Sequence, residues 1–303
     1  MDDSDSSDDD RYMQDNDTDY SYDADDVDEL AAAAAERTRL KLILLLQRKR
    51  TYPKRTRNKI DRLAAVFLQR TELDIHNMLC EKNSYADNYR GLDSDRDTED
   101  EVEAAIRFFP EVLSKRSQER LPIHFITCCF GKRERVICNL KAVSFIPLVA
   151  RLTIEFGLFR DEGRGGLLFY DCEHTAMQNL ITAGQTKSHD QQNPELVDDK
   201  CLLVMLKLRQ MGLLKKEDIQ SYGLLEQLWS NNVFPGKRSR FMIEWDPTLL
   251  TRVNFAGEIP LHDVALTRSI QIFQLVFEYG IRYYPNKKGI SLLFQEVFSG
   301  RNL

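Results

Sequence analysis

The chain resembles itself in two places. Leu121-Pro122-Ile123-His124 and Ile259-Pro260-Leu261-His262 share an aliphatic-Pro-aliphatic-His core. The approach to each also recurs: Pro110-Glu111-Val112-Leu113 lies 12 residues before Pro122, and Pro247-Thr248-Leu249-Leu250 lies 13 before Pro260. Self-similarity constrains a fold more than composition does, because it implies that one supersecondary unit is used more than once. Proline at the first position of a helix gives up a donor that has no intrahelical partner there, so each segment predicts a helix start.

Other helix signals are local. Thr98-x-x-Glu101 is a capping-box pattern opening Val102 to Phe109, and the main domain, 98–303, is expected to begin there. Asn193-Pro194 predicts an N-cap and first position, and Gly212 the end, of a helix carrying Leu196, Leu203, Val204 and Leu208. A partner helix follows at about 216–230 with Ile219, Tyr222, Leu225 and Trp229 inward. A helix over about 58–80 places Ala64, Leu68, Ile75 and Leu79 on one face, with Phe67 and Met78 beside them. An earlier one runs from near Asp26 to Arg50, with Pro53 as its stop. No run of alternating strands is visible, so the body is read as all-α. Residues 82–97 are polar and read as a linker.

Charge divides the N-terminal arm. Residues 1–30 hold 14 acidic residues and one base, and residues 31–70 hold 12 bases against Glu36 and Asp61. The segment 1–26 has too few aliphatic residues to offset its ordering entropy and is expected to be a disordered acidic tail. Ser6 and Ser7 each precede an Asp by three, as acidophilic kinase sites do. Residues 27–81 form a helical arm whose basic run, Arg48-Lys49-Arg50 with Lys54, Arg55, Arg57 and Lys59, suits nuclear import or contact with a phosphate backbone. Lys237-Arg238-Ser239-Arg240 is too small a cluster for that claim. The start lacks the apolar core of a secretory signal, and no apolar run approaches the roughly 20 residues of a membrane span. A cytoplasmic or nuclear protein with no membrane partner is expected.

The segment Gly257-Glu258-Ile259-Pro260-Leu261-His262-Asp263-Val264-Ala265 resembles the G-x-T-P-L-H-x-A-A opening of an ankyrin repeat. Ile272, Phe273, Val276 and Phe277 then lead to Gly280, and Gly289 would open the next unit 32 residues after Gly257, against an ankyrin period of about 33. The resemblance implies an irregular helical-repeat solenoid in which Pro122 and Pro260 open helices, and His124 and His262 hydrogen-bond across repeats. It departs from the family where Leu121 and Ile259 replace the capping threonine, worth about 1 kcal/mol, and where Glu119 replaces the glycine. The span from Glu119 to Gly165 makes an expanded middle unit, Gly165-Gly166-Leu167-Leu168 opens the next without Pro or His, and the equal spacing on to Gly212 also suits HEAT-like repeats. Residues 128–169 resemble the expanded middle unit of divergent ankyrin-type families of diatoms and related algae. The number of units between 165 and 257 stays open.

Catalytic constellations are hard to assemble. The five histidines are dispersed, Ser188-His189-Asp190 is contiguous rather than convergent, and Gly163-Arg164-Gly165-Gly166 lacks the frame of a phosphate loop. His124, Cys128, Cys129 and Cys138 lack zinc-ligand spacing and read as core residues with reduced thiols. No enzyme, cofactor or metal is expected. The leading expectation is a protein-protein interaction scaffold with an unknown protein partner. The alternative is a nuclear or chromatin-associated nucleic-acid binder that uses residues 48–59 and is modulated by the acidic tail.

Overall fold

A computed structural model describes residues 37, 40, 41, 43, 44, 47–82, 88–130, 136–160, 162–171, 174–184, 193–229, 234–253, 259–266 and 270–285. The acidic tail, Gly257, Gly289 and Ser188-His189-Asp190 lie outside these. The chain divides into two units, 1–69 and 70–303.

A 3-10 turn in the first unit, Lys49–Thr51, precedes α1, Lys54–Leu79, whose residues from Arg70 onward belong to the second unit; it starts four residues before its expected position, directly after Pro53. Lys54, Arg55, Arg57 and Lys59 therefore occupy its first two turns, where the helix dipole disfavours cations. Of the expected apolar face, Leu79 is buried and Ala64 and Ile75 are half-buried, but Leu68 is 52% exposed, and Ile60 and His76 are buried in addition.

The second unit is helical, with one small antiparallel hairpin among the described residues, β1 (Cys128–Phe130) with β2 (Val136–Cys138). α2 spans Glu99–Phe108 and carries the capping box: Glu101 N donates to Thr98 Oγ1 at 3.3 Å and Thr98 N to Glu101 Oε2 at 3.0 Å. α3 is Pro122–Thr127, with its proline in the first turn. α4 is Ile146–Glu155, and α5 is Ala176–Thr182, capped by Thr175. α6 spans Pro194–Gln210, with Asn193 Oδ1 accepting from Glu195 N at 3.0 Å. Gly212 at φ 71° lets the chain turn out of that helix. α6 buries Val197, Cys201, Val204, Met205 and Leu208 rather than Leu196 and Leu203, which stay exposed. The expected helix over 216–230 is two, α7 (Lys216–Ser221) and α8 (Leu224–Trp229), because Gly223 at φ 55° breaks it. α9 (Gly236–Trp245), α10 (Pro260–Leu266) and α11 (Ile270–Tyr283) follow.

Residues 88–97 are not a free linker. Leu92 and Tyr89 are buried, and Ser94 N donates to Lys141 O at 2.8 Å. Longer helices contact one another in chain order, α2 to α4, α4 to α6, α6 to α9 and α9 to α11. Short helices contact likewise, α3 to α5 and α5 to α8. The two Pro-x-His segments also have matching approaches. A ten-residue helix (α2, α9) is followed by one residue with closely similar backbone angles, Phe109 at φ −137°, ψ 66° and Asp246 at φ −133°, ψ 84°. A proline-opened 3-10 turn then follows, Pro110–Leu113 or Pro247–Thr251, before α3 or α10.

Candidate functional site

The segments that follow α2, α4, α6 and α9, the third of which includes α7, are tied one to the next. In each case a base on one segment reaches an acid on the next whose side chain is almost wholly buried, and Asp218 and Lys216 both stand on α7. Arg120 Nε lies 3.2 Å from Asp171 Oδ2, Arg164 pairs with Asp218, and Lys216 Nζ lies 3.2 Å from Asp246 Oδ1; the three acid side chains are 4%, 4% and 1% exposed. Burial would push the Asp246 carboxyl upward, but the Thr248 hydroxyl, Lys216 and Arg252 outweigh it and hold it below the ordinary carboxylate range. Arg252 Nη1 also donates to Gln220 Oε1 at 2.6 Å. Charges this dry are tolerated only in pairs, so the acids fix the spacing of the loops.

Two adjoining clefts, each about 780 Å³, open between the second and third loops and share Arg160, Leu168 and Tyr222. Glu162 also lines both; one cleft further takes in Arg164, Leu213 and Lys215, and the other Phe159, Phe169 and Tyr170. Phe159 and Phe169 pack with ring centroids 5.4 Å apart, and the Arg116 guanidinium sits 4.8 Å from the Phe169 ring. Burial beside Tyr170 pushes the Tyr222 phenol above its usual range. The cleft loop is strained: Phe159 and Arg164 have φ of 45° and 41°, a region that costs a non-glycine residue roughly 1–2 kcal/mol. Its walls offer guanidinium, ammonium, carboxylate and phenol groups around apolar rings, which is recognition chemistry.

Of the residues singled out in sequence, Pro122 and Pro260 open α3 and α10. His124 is buried; Nε2 lies 3.0 Å from Phe169 O and Nδ1 3.3 Å from Leu121 O. His262 is also buried, but neither of its ring nitrogens makes a hydrogen bond among the described residues. Gly165, at φ 69°, touches α4 so closely that a Cβ would stand 2.4 Å from Ala150 O. The amides of Gly165 and Gly166 donate to Phe159 O and Gly163 O at 2.8 Å, so the Gly-Arg-Gly-Gly segment directs them at its own loop rather than at a phosphate. Ala265 is exposed, and Gly280 is buried inside α11, which continues to Tyr283 instead of ending there. Arg48, Arg50, Lys54, Arg55, Arg57 and Lys59 are exposed, and Lys49 pairs with Asp61. The structure does not gather the motif residues into one pocket.

Cys80, Cys128, Cys138 and Cys201 are buried thiols, with Cys138 Sγ and Cys201 Sγ 3.9 Å apart. Among the described residues no three His, Cys, Asp or Glu side chains gather as a metal ion would require, and no helix is long and apolar enough to cross a membrane. Sequence reasoning missed Arg120, Asp171, Asp218, Lys216 and Asp246, and took Arg164 only as part of a turn. Comparisons with family models, with curated proteins and with solved structures each found no match to this chain.

Proposed function

We propose that the chain is a non-catalytic protein-interaction scaffold. In this reading residues 98–303 form a degenerate, ankyrin-like array of alternating long and short helices. A protein partner docks across the bridged loops, at the cleft between residues 159–170 and 212–222. The observation that carries the reading is the repeated tie between successive segments, each a base on a buried acid, which links three loops and α7 into one continuous edge. The matching approaches to α3 and α10 support the repeat, as does the reach of His124 to Phe169 O in the following loop. Repeat arrays commonly present such edges and faces to partners.

The test compares the full-length chain with an Arg160→Ala, Tyr170→Ala variant, both immobilised and exposed to extract from the source cell. Both side chains are solvent-exposed, so the variant keeps its fold. A protein retained by the native chain and lost by the variant is the expected result. Equal retention of every protein by both would contradict the reading.

A second reading, a nuclear or chromatin-associated binder, is supported by the solvent exposure of the bases between Arg48 and Lys59. It expects DNA or RNA affinity that falls steeply with added salt. Absence of salt-sensitive binding would remove it.

A further inference from the structure

The two copies of the Pro-x-His core differ at the histidine. His262 is 4% exposed, and neither of its ring nitrogens finds a partner among the described residues. A neutral imidazole carries one donor and one acceptor, and buried groups of this kind are paired almost without exception. The ring therefore requires a partner. A metal ion does not answer the requirement, because among the described residues no three metal-ligating side chains gather.

His124 shows what kind of group that is. The two histidines share their local backbone: His124 N donates to Leu121 O at 3.0 Å, and His262 N to Ile259 O at 2.9 Å. Each short helix also contacts the long helix after it, α3 with α4 and α10 with α11. The His124 ring reaches the segment beyond α4, where Nε2 meets Phe169 O at 3.0 Å. That carbonyl ends the run Gly165-Gly166-Leu167-Leu168-Phe169. The segment beyond α11 holds Gly289-Ile290-Ser291-Leu292-Leu293-Phe294, which ends on the same three residues. It lies outside the described residues. Histidine and phenylalanine are 45 residues apart in the first copy and 32 in the second. The second interval is shorter because 18 residues, β1 and β2 among them, separate α3 from α4, whereas three separate α10 from α11.

We propose that residues 289–294 pack over His262 within the same molecule, and that Nε2 of His262 donates to the carbonyl of Phe294. The segment is then a further unit of the array, seated on α10 as residues 165–169 are seated on α3. The inference rests on the repeat correspondence within 98–303 and not on a partner at the cleft, so loss of that partner leaves it standing.

The experiment is nuclear magnetic resonance on the full-length chain carrying isotope-labelled histidine and phenylalanine. A second sample mixes chains labelled only at histidine with chains labelled only at phenylalanine. Expected in the first sample are a slowly exchanging His262 ring N–H and a nuclear Overhauser contact from that ring to Phe294. The contact should be absent from the mixture. In a Leu293→Asp variant the His262 ring N–H should exchange several-fold faster while that of His124 keeps its rate. His124 thereby reports whether the variant is folded; if its rate rises too, the contact in the native chain decides alone. Four results overturn the proposal: a His262 N–H that exchanges as freely as in water, protection without contact to residues 289–294 (which assigns the acceptor to water or another group), a contact present in the mixture (which assigns it to a second copy), or protection indifferent to Leu293→Asp.

Discussion

Arg238 shows how much a single side chain decides in this chain. It is 2% exposed. Its Nε donates to Asp198 Oδ1 at 2.7 Å, its Nη1 to Ile181 O at 2.6 Å and its Nη2 to Ala183 O at 3.0 Å. Asp198 in turn accepts from Lys237 N at 2.8 Å, so one ion pair closes the end of α5 and the start of α9. In sequence, Lys237-Arg238-Ser239-Arg240 looks like a small surface cluster. Nothing local reveals that Arg238 finds its partners 40–58 residues away. Arg238→Met would leave Asp198 buried and unpaired, and urea unfolding should show a loss of about 3–5 kcal/mol. A loss under 1 kcal/mol would mean that the pair is not held as described.

His124 adds a pH dependence at the same scale. Burial pushes its imidazole below the ordinary value, although the carbonyl of Phe169 pulls the other way. Above about pH 6.5 the ring is neutral in both the folded and unfolded chain and costs nothing. As pH falls below that value the unfolded chain takes up the proton first, so stability declines until the folded ring also titrates. His76, lowered mainly by burial too, contributes in the same direction. Unfolding measured at pH 7.5 and 5.5 should show a smaller decline for His124→Gln than for the native chain. An equal decline would place the effect elsewhere.

At the scale of elements, helix boundaries were legible where their signals are local. The Thr98–Glu101 box, the Asn193-Pro194 start and the Gly212 exit depend on residues within one turn of each other. The burial of faces was less legible. Leu196 and Leu203 fit the helical period of α6 as well as Val197 and Cys201 do, and only the positions of α4 and α9 decide between them. The contact of α2 with α4 was not legible at all. It carries a closed set of four charges: Arg107 grips Glu155 with both amino groups at 2.6 and 2.8 Å and holds Glu103 at 2.8 Å, while Arg151 reaches Glu103 at 2.6 Å. Arg151 holds the Glu103 carboxyl below its usual range, and Arg107 does the same for Glu155. Their stabilisation is therefore present above the ordinary carboxylate value and is lost as pH falls through the lower folded one. Arg107, Arg151 and Glu155 are exposed and Glu103 is half-buried, so salt screens the set. A double-mutant cycle on Arg107→Ala and Glu155→Ala should give a coupling that shrinks from low salt to 1 M NaCl. A coupling indifferent to salt would contradict the assignment.

At the scale of the molecule, the repeated Pro-x-His core was the most informative line of text, and α3 and α10 begin where it stands. The bridged edge was hidden because each base and acid lie far apart in sequence, 54 residues for Arg164 and Asp218. Only the packing of the helices between them brings them together. Asp218→Ala should release Arg164 from the cleft wall and lower stability by several kcal/mol, as expected when one member of a buried pair is removed. It should also weaken partner retention, whereas Glu99→Ala, on an exposed pair with Lys207, should change neither. The claim that this edge is the working surface is tested most directly by cross-linking mass spectrometry of the full-length chain with the protein it retains. The account predicts that links concentrate on Lys215 and Lys216 beside the cleft, with few from Lys200 or Lys207. Links spread evenly over the lysines, or confined to Lys54 and Lys59, would contradict it.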